Sequence, residues 1–218
     1  MPRCIQLGLY STFASFSLAV FGVAGCATQT YPTLHEHRIT LQPGDLEAGG
    51  IAFVTPSSAT GQEQERQAVA FTFAEVLKRE RPKMRVRTLA EVLGAVNEAG
   101  LANTYKRMYD EERDTGLLSR EVLRRIGEIT TSRYIAQLKL QGFSQGKQER
   151  FGALGLRIVD TQYAQVRVFL QIWDSNDGTI AWEGMQELRI SSESISDQPV
   201  TLRSVLEHAA LDLVARLP

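Results

Sequence analysis

Among the 218 residues, the side chain with the clearest chemistry in prospect is the thiol of Cys26. Its thiolate is the strongest nucleophile that the common side chains offer for forming a thioether. Cys26 follows Ala24 and Gly25, whose small size lets the backbone lie extended in a peptidase groove. These close a mostly apolar run from Leu7 to Val23, thinned by Ser11, Thr12, Ser15 and Ser17. Arg3 is the one charge before Glu36. A membrane-spanning helix wants about twenty strongly apolar residues with anchoring flanks. A basic start, a short apolar core and small residues before a cut are instead the marks of a secretory signal. Residues 1–25 are therefore expected to be a signal that is removed after its small residues. Cys4 departs with the signal, so an exported chain would carry no thiol free to mispair.

Catalysis has little to stand on. The chain contains no G-x-S-x-G, no P-loop and no H-E-x-x-H. His35 and His37 lack a third ligand at metal spacing and read as solvated residues, so neither a metal nor a cofactor is expected. "TPSSATG" stands where α/β folds cradle phosphates, but it carries neither G-x-G-x-x-G nor a lysine and reads as a plain strand-to-helix loop. The carboxylates of "YDEERD" fall at a helix end as a solvated face, and His208 lies on a helix beside the core or in solvent. No catalytic residue is assigned, and the expectation is that the protein is not an enzyme. With 24 Lys and Arg against 25 Asp and Glu and no basic cluster, nucleic acid is not an expected partner.

The elements that must position any site are legible from periodicity. Residues 26–47 mix Thr, Pro, Gly and charge without pattern and read as a flexible tether, followed by a single globular α+β domain over 48–218. "GGIAFVTP" fits a buried strand around Ile51 to Val54. A helix over about 62–81 carries Val69, Phe73, Val76 and Leu77 on one stripe and stops at Pro82. "MRVRT" reads as a second strand, and Thr88 with Glu91 forms a capping box for a helix burying Leu89, Val92, Leu93 and Val96. Another helix is expected over 102–113, and a further one is capped by Ser119. From Arg133 the period becomes two, with Tyr134, Ala136, Leu138 and Leu140, then Ala164, Val166, Val168, Leu170 and Ile172, then Ile180, Trp182, Leu188 and Ile190 on the buried face. A last helix begins near Thr201. The fold class is α+β, a layered sandwich of a mixed sheet with a C-terminal antiparallel meander and helices packed on it.

The hairpin "FLQIWDSNDGTIAWEG" specifies its own register. Paired residues share a face, so their numbers must sum to an even value, which excludes loops of two or four residues and leaves a three-residue loop at Asn176-Asp177-Gly178. The pairs are then Ile172 with Trp182, Phe169 with Met185 and Arg167 with Glu187. The odd-numbered face collects Tyr163, Arg167, Phe169, Gln171 and Trp173, joined by Met185. Aromatics around an arginine are the composition of interface centres. These six residues are the candidate partner-binding surface, the alternative being a second small core covered by another helix or by the tether.

Val23-Ala24-Gly25-Cys26 resembles the lipobox of bacterial lipoproteins, which implies diacylglycerol on the Cys26 sulfur, then cleavage of the bond between Gly25 and Cys26, fatty acylation of palmitate type, and a membrane as the first partner. Each buried methylene contributes about 0.8 kcal/mol, so two or three chains make detachment negligible. The same resemblance implies that an aspartate after the cysteine would favour inner-membrane retention, so Ala27 in that place points to the periplasmic face of the outer membrane. With "IAFVTP", "RRIGEITTSRYIAQLKLQGF" and the hairpin, the chain is similar to envelope lipoproteins sharing the fold of the TolB amino-terminal domain: the curli-secretion channel family and the lipoprotein activators of penicillin-binding proteins. With the missing catalytic motifs and the aromatic face, the expectation is a non-catalytic accessory module of the cell envelope binding a protein partner or itself; the alternative is a subunit of an oligomeric outer-membrane secretion pore, as in the curli-type channels it resembles, and a weaker one is a hydrolase of envelope polymers. The helical insertion "LANTYKRMYDEERDTGLLS" and the segment 143–162 depart from the group's pattern. Charges and Gly155 break the alternation that a membrane strand of about 9–11 residues needs, so 143–162 reads as an exposed hairpin loop.

Overall fold

The computed structural model describes residues 28–59, 63–151, 157–194 and 200–218; the signal segment with Gly25 and Cys26 lies outside them, as do residues 152–156. The described elements run in the order β1 (Thr28–Arg38), α1 (Asp45–Gly49), β2 (Ile51–Phe53), β3 (Ser57–Ser58), α2 (Glu63–Glu80), β4 (Val86–Arg87), α3 (Leu89–Glu98), α4 (Ala102–Thr115), α5 (Arg120–Thr130), β5 (Tyr134–Phe151), β6 (Arg157–Asp174), β7 (Thr179–Ser194) and α6 (Leu202–Arg216). The strands form one mixed sheet in the order β1-β7-β6-β5-β2-β4, with β3 pairing the outer side of β5. β2 lies parallel to β4 and β5, whereas β5, β6, β7 and β1 are antiparallel in succession. The α+β class expected from the sequence is the class observed.

Two cores divide the sheet's faces. On one face the even-numbered side chains of β5 and β6, from Tyr134 to Leu140 and Ala164 to Ile172, pack with Val69, Phe73, Val76 and Leu77 of α2 and with Val205, Leu206, Ala209 and Leu213 of α6. On the other, Ala52, Val54, Ile135 and Trp173 meet Val92 and Val96 of α3, Tyr105 and Met108 of α4, and Val122, Leu123 and Ile126 of α5. Local chemistry starts these helices where expected: the Thr88 side chain accepts from the Glu91 N–H while the Glu91 carboxylate accepts from the Thr88 N–H at 2.7 Å, the reciprocal box read from the sequence. Thr201 caps α6 by accepting from the Ser204 N–H at 3.2 Å. Ser119 occupies the N-cap position of α5 without a side-chain hydrogen bond. Leu93, expected inside, is 40% exposed, because the buried stripe of α3 is narrowed to Val92 and Val96.

Three expectations are corrected. The segment expected to be a tether is ordered structure: Thr28–Arg38 pairs along its whole length with β7, Thr28 opposite Ser192 and Arg38 opposite Trp182, and α1 follows it. β1 is an edge strand, the place in a sheet where a proline such as Pro32 is tolerated. Second, 143–162 is not a loop in its described part, since β5 continues to Phe151 and β6 starts at Arg157. Third, the hairpin loop has four residues, Ser175–Gly178, because Asp174 pairs with Thr179. The parity rule survives through a β-bulge: Trp173 pairs with Ile180 but Ile172 pairs with Trp182, so Ala181 is the extra residue and Ile180 is turned to the face of Trp173. Gly178 supplies the left-handed turn at φ 74°, and a Cβ there would stand 2.7 Å from that of Arg120.

Candidate binding face

The helices α3, α4 and α5 cover only the end of the sheet nearest the β6–β7 turn, so the odd-numbered face of β6 is split between core and surface. Trp173 falls under them. It is 2% exposed, packs in the second core, and its Nε1–H donates to Gln137 Oε1 at 3.2 Å. As a member of a free binding surface it is therefore withdrawn, for the reason that the insertion containing α4 supplies the apolar cover it needs. The other five candidates lie beyond this cover on adjacent rungs. Gln171 faces Glu183, Phe169 faces Met185, Arg167 faces Glu187 and Tyr163 faces Ser191, as the hairpin register required.

Pairing of β1 to β7 extends each rung by a strand that sequence reasoning missed. His37 joins Glu183 and Gln171, His35 joins Met185 and Phe169, Thr33 joins Glu187 and Arg167, and Tyr31 joins Arg189 and Gln165. On the other side Lys139 stands opposite Phe169. The one usable signal was the Thr- and Tyr-rich composition of 28–33, which favours strand.

Polar groups on this face are held in place by one another. Arg167 donates from Nε and Nη2 to Glu187 Oε2 at 3.1 and 2.7 Å, while Gln165 Nε2 donates to Glu187 Oε1 at 2.8 Å. Gln171 Nε2 donates to Glu183 Oε2 at 3.3 Å, and His37 Nδ1 lies 3.9 Å from Glu183 Oε1. The guanidinium of Arg189 sits 4.8 Å above the Tyr163 ring. That ring in turn covers Gly146, where a Cβ would come within 2.5 Å of it. Phe169 and Met185 are half-buried between these polar rows. A surface of this kind presents an apolar centre, a fixed arginine and few mobile side chains, which lowers the ordering cost of binding.

Nearer the cover, Lys139 Nζ meets Glu112 Oε1 at 2.6 Å, with the glutamate side chain 8% exposed. Tyr105 and Tyr109 share a hydrogen bond of 3.2 Å, and the Tyr105 hydroxyl accepts from the Thr55 N–H at 2.9 Å. Burial pushes the Tyr109 phenol well above its ordinary pKa. His208, exposed on α6, places Nδ1 2.8 Å from the Ser204 carbonyl oxygen within its own helix. Among the described residues no three His, Cys, Asp or Glu side chains are grouped to hold a metal ion, and no helix is long and apolar enough to cross a membrane.

The sheet, its two helical layers and this one-sided face define a mixed α+β sandwich with a solvent-facing antiparallel half. No family model matches the chain, and no curated protein matches it. Among solved structures it is similar to a PelC dodecamer from Paraburkholderia phytofirmans, at 14% identity over 86% of this chain and 97% of that one, with a TM-score of 0.48. It is also similar to lipoprotein GNA1162 from Neisseria meningitidis, at 15% identity over 77% of this chain and 98% of that one, with a TM-score of 0.45. Likeness at this level assigns no function.

Proposed function

We propose that this chain is a lipid-anchored, non-catalytic module of the bacterial cell envelope, held on the periplasmic face of the outer membrane through Cys26, that captures a protein partner on the face centred on Phe169 and Met185. The observation that carries the reading is the asymmetry of the sheet. Its α2 and α6 side is fully packed, while the rungs from Gln171 to Tyr163 are left without a covering helix among the described residues. Aliphatic and aromatic side chains in such a place, framed by an Arg167–Glu187 pair, are suited to a protein interface. The anchor rests on the lipobox-like residues before Cys26. A photocrosslinker at Gln171 in living cells, followed by mass spectrometry, is expected to trap one envelope protein. Phe169→Ala with Met185→Ala should abolish the adduct while leaving the fold intact by circular dichroism. Trapping that survives the double substitution would sink the proposal.

A second reading, self-association into an oligomeric secretion pore, is favoured by the sheet's edges. The outer edge of β1 and, over 141–151, the edge of β5 that faces away from β6 have no strand partner among the described residues. They run in opposite senses, so a second copy adding its β1 to that stretch would continue an antiparallel sheet. Rings that resist detergent, seen by electron microscopy, would favour this reading, and a monomer by light scattering at high concentration would exclude it.

A further inference from the structure

The strand-to-helix loop after β2 gains a second meaning from topology. β2 lies between β4 and β5 in the sheet. The connection from β2 to β4 runs through α2 on one face, and the connection from β4 to β5 runs through α3, α4 and α5 on the other. The chain therefore reverses its winding at β2, and the crevice beyond the carboxyl end of such a strand is where open α/β sheets place ligands. Here that crevice exists. A cleft of about 710 Å3 lies between residues 55–59, Arg66 of α2, α4 from Lys106 onward and the stretch 139–141 of β5. Its size falls within the range of about 300–1,000 Å3 typical of small-molecule sites.

Its charges select a ligand class. Arg66, Lys106, Arg113 and Lys139 line it against two carboxylates, Asp110 and Glu112. Lys139 commits one donor to the buried Glu112 at 2.6 Å, which fixes the ammonium in the wall and leaves two further N–H groups for a guest. Lys106 has no ion pair among the described residues. Arg113 is held only by exposed carboxylates, Asp110 at 3.6 Å and Asp114 at 3.5 Å. Tyr109 adds a phenol beside Pro56, an apolar wall for the body of a small molecule. We propose that this cleft is a binding site for a small organic anion, its carboxylate or phosphate group taken by Lys106, Arg113 and Lys139 and its body lying against Tyr109. Like any tyrosine at physiological pH, Tyr109 offers the guest a neutral hydroxyl.

The test is calorimetric, on the full chain in a non-ionic detergent at fixed ionic strength, with glycerol 3-phosphate, gluconate and uncharged glycerol as the three titrants. Saturable millimolar binding of one anion, with none of glycerol, is expected, and whichever anion binds identifies the headgroup chemistry. Lys106→Ala with Arg113→Ala removes two exposed side chains that the fold does not need, and should weaken binding by at least about tenfold, the value of one charge-assisted hydrogen bond. Circular dichroism checks that the variant is folded. Absence of saturation by both anions, equal binding of glycerol, or unchanged affinity in the folded double variant would each overturn the proposal. None of these outcomes bears on the face around Phe169, whose crosslinking is read separately.

Discussion

Truncating Trp173 separates core from surface most sharply. The indole is 2% exposed and packed among Val92, Val96, Met108, Leu123 and Ile126, so Trp173→Ala forfeits about 3–5 kcal/mol through lost transfer free energy and the cavity left behind. A second cost comes from Gln137, which is 0% exposed and whose Oε1 accepts the indole N–H. Stripped of that donor, the buried oxygen costs about 1–3 kcal/mol more. The expected total of about 4–8 kcal/mol approaches the whole stability of an ordinary domain. At roughly 2–4 °C per kcal/mol for a chain of this size, the melting temperature should fall by on the order of 10 °C or more. Urea unfolding followed by far-ultraviolet circular dichroism measures it. Trp173→Phe keeps most of the volume and isolates the hydrogen-bond part, about 1–3 kcal/mol. Phe169→Ala, four residues away on the uncovered rungs, should cost about 1 kcal/mol or less. If Trp173→Ala matched Phe169→Ala, the indole would belong to the surface and the division of this face would be wrong.

Other expected outcomes test neighbouring features. Gly146→Val drives a branched side chain into the Tyr163 ring and should cost about 1–3 kcal/mol, while Tyr163→Ala in the same background recovers part of it by removing the clash. Lys139→Met leaves Glu112 without its 2.6 Å partner and should destabilise by about 1–3 kcal/mol, discounted because the lysine is a quarter exposed; adding Glu112→Leu should recover most of that in urea titrations. Thr88→Ala removes a helix cap and should cost about 0.5–2 kcal/mol. The backbone and side chain of Thr88 hold the Glu91 carboxyl below its usual pKa. That contribution is present above the ordinary carboxylate range and is lost as pH falls through the lowered value; Thr88→Ala keeps the backbone N–H and removes only the smaller side-chain part, so it should raise the Glu91 pKa slightly in a carbon-detected titration and leave most of the acid-side decline in place.

What the sequence made legible came from period. Alternation in β5, β6 and β7 named the buried even-numbered set and the pairs Phe169–Met185 and Arg167–Glu187 on pattern alone, because a one-residue slip would have exposed every apolar side chain. The bulge at Ala181 escaped, since an extra residue changes parity without leaving a distinctive composition. β1 escaped for a different reason. An edge strand borrows its order from its neighbour, and Thr28–Arg38 carries too little apolar alternation to announce a partner about 150 residues away in sequence. Trp173 and Phe169 are indistinguishable by pattern, both aromatic at odd positions, and only the placement of α3, α4 and α5 assigns one to the core. The cleft was invisible likewise, because Lys139 and Glu112 meet across elements and neither belongs to a spaced motif.

Because β1 opens at Thr28, the anchor proposed at Cys26 would have almost no leash. Two extended residues reach about 7 Å, whereas a coil over 26–47 would have wandered on the order of 25 Å. The sheet would then stand with the start of its rim strand pressed to the headgroups, fixed in height and in tilt. Anything that engages it must come down to the bilayer surface, and lengthening the link by a Gly-Ser insertion after Ala27 would loosen that alignment while leaving every contact in the fold untouched.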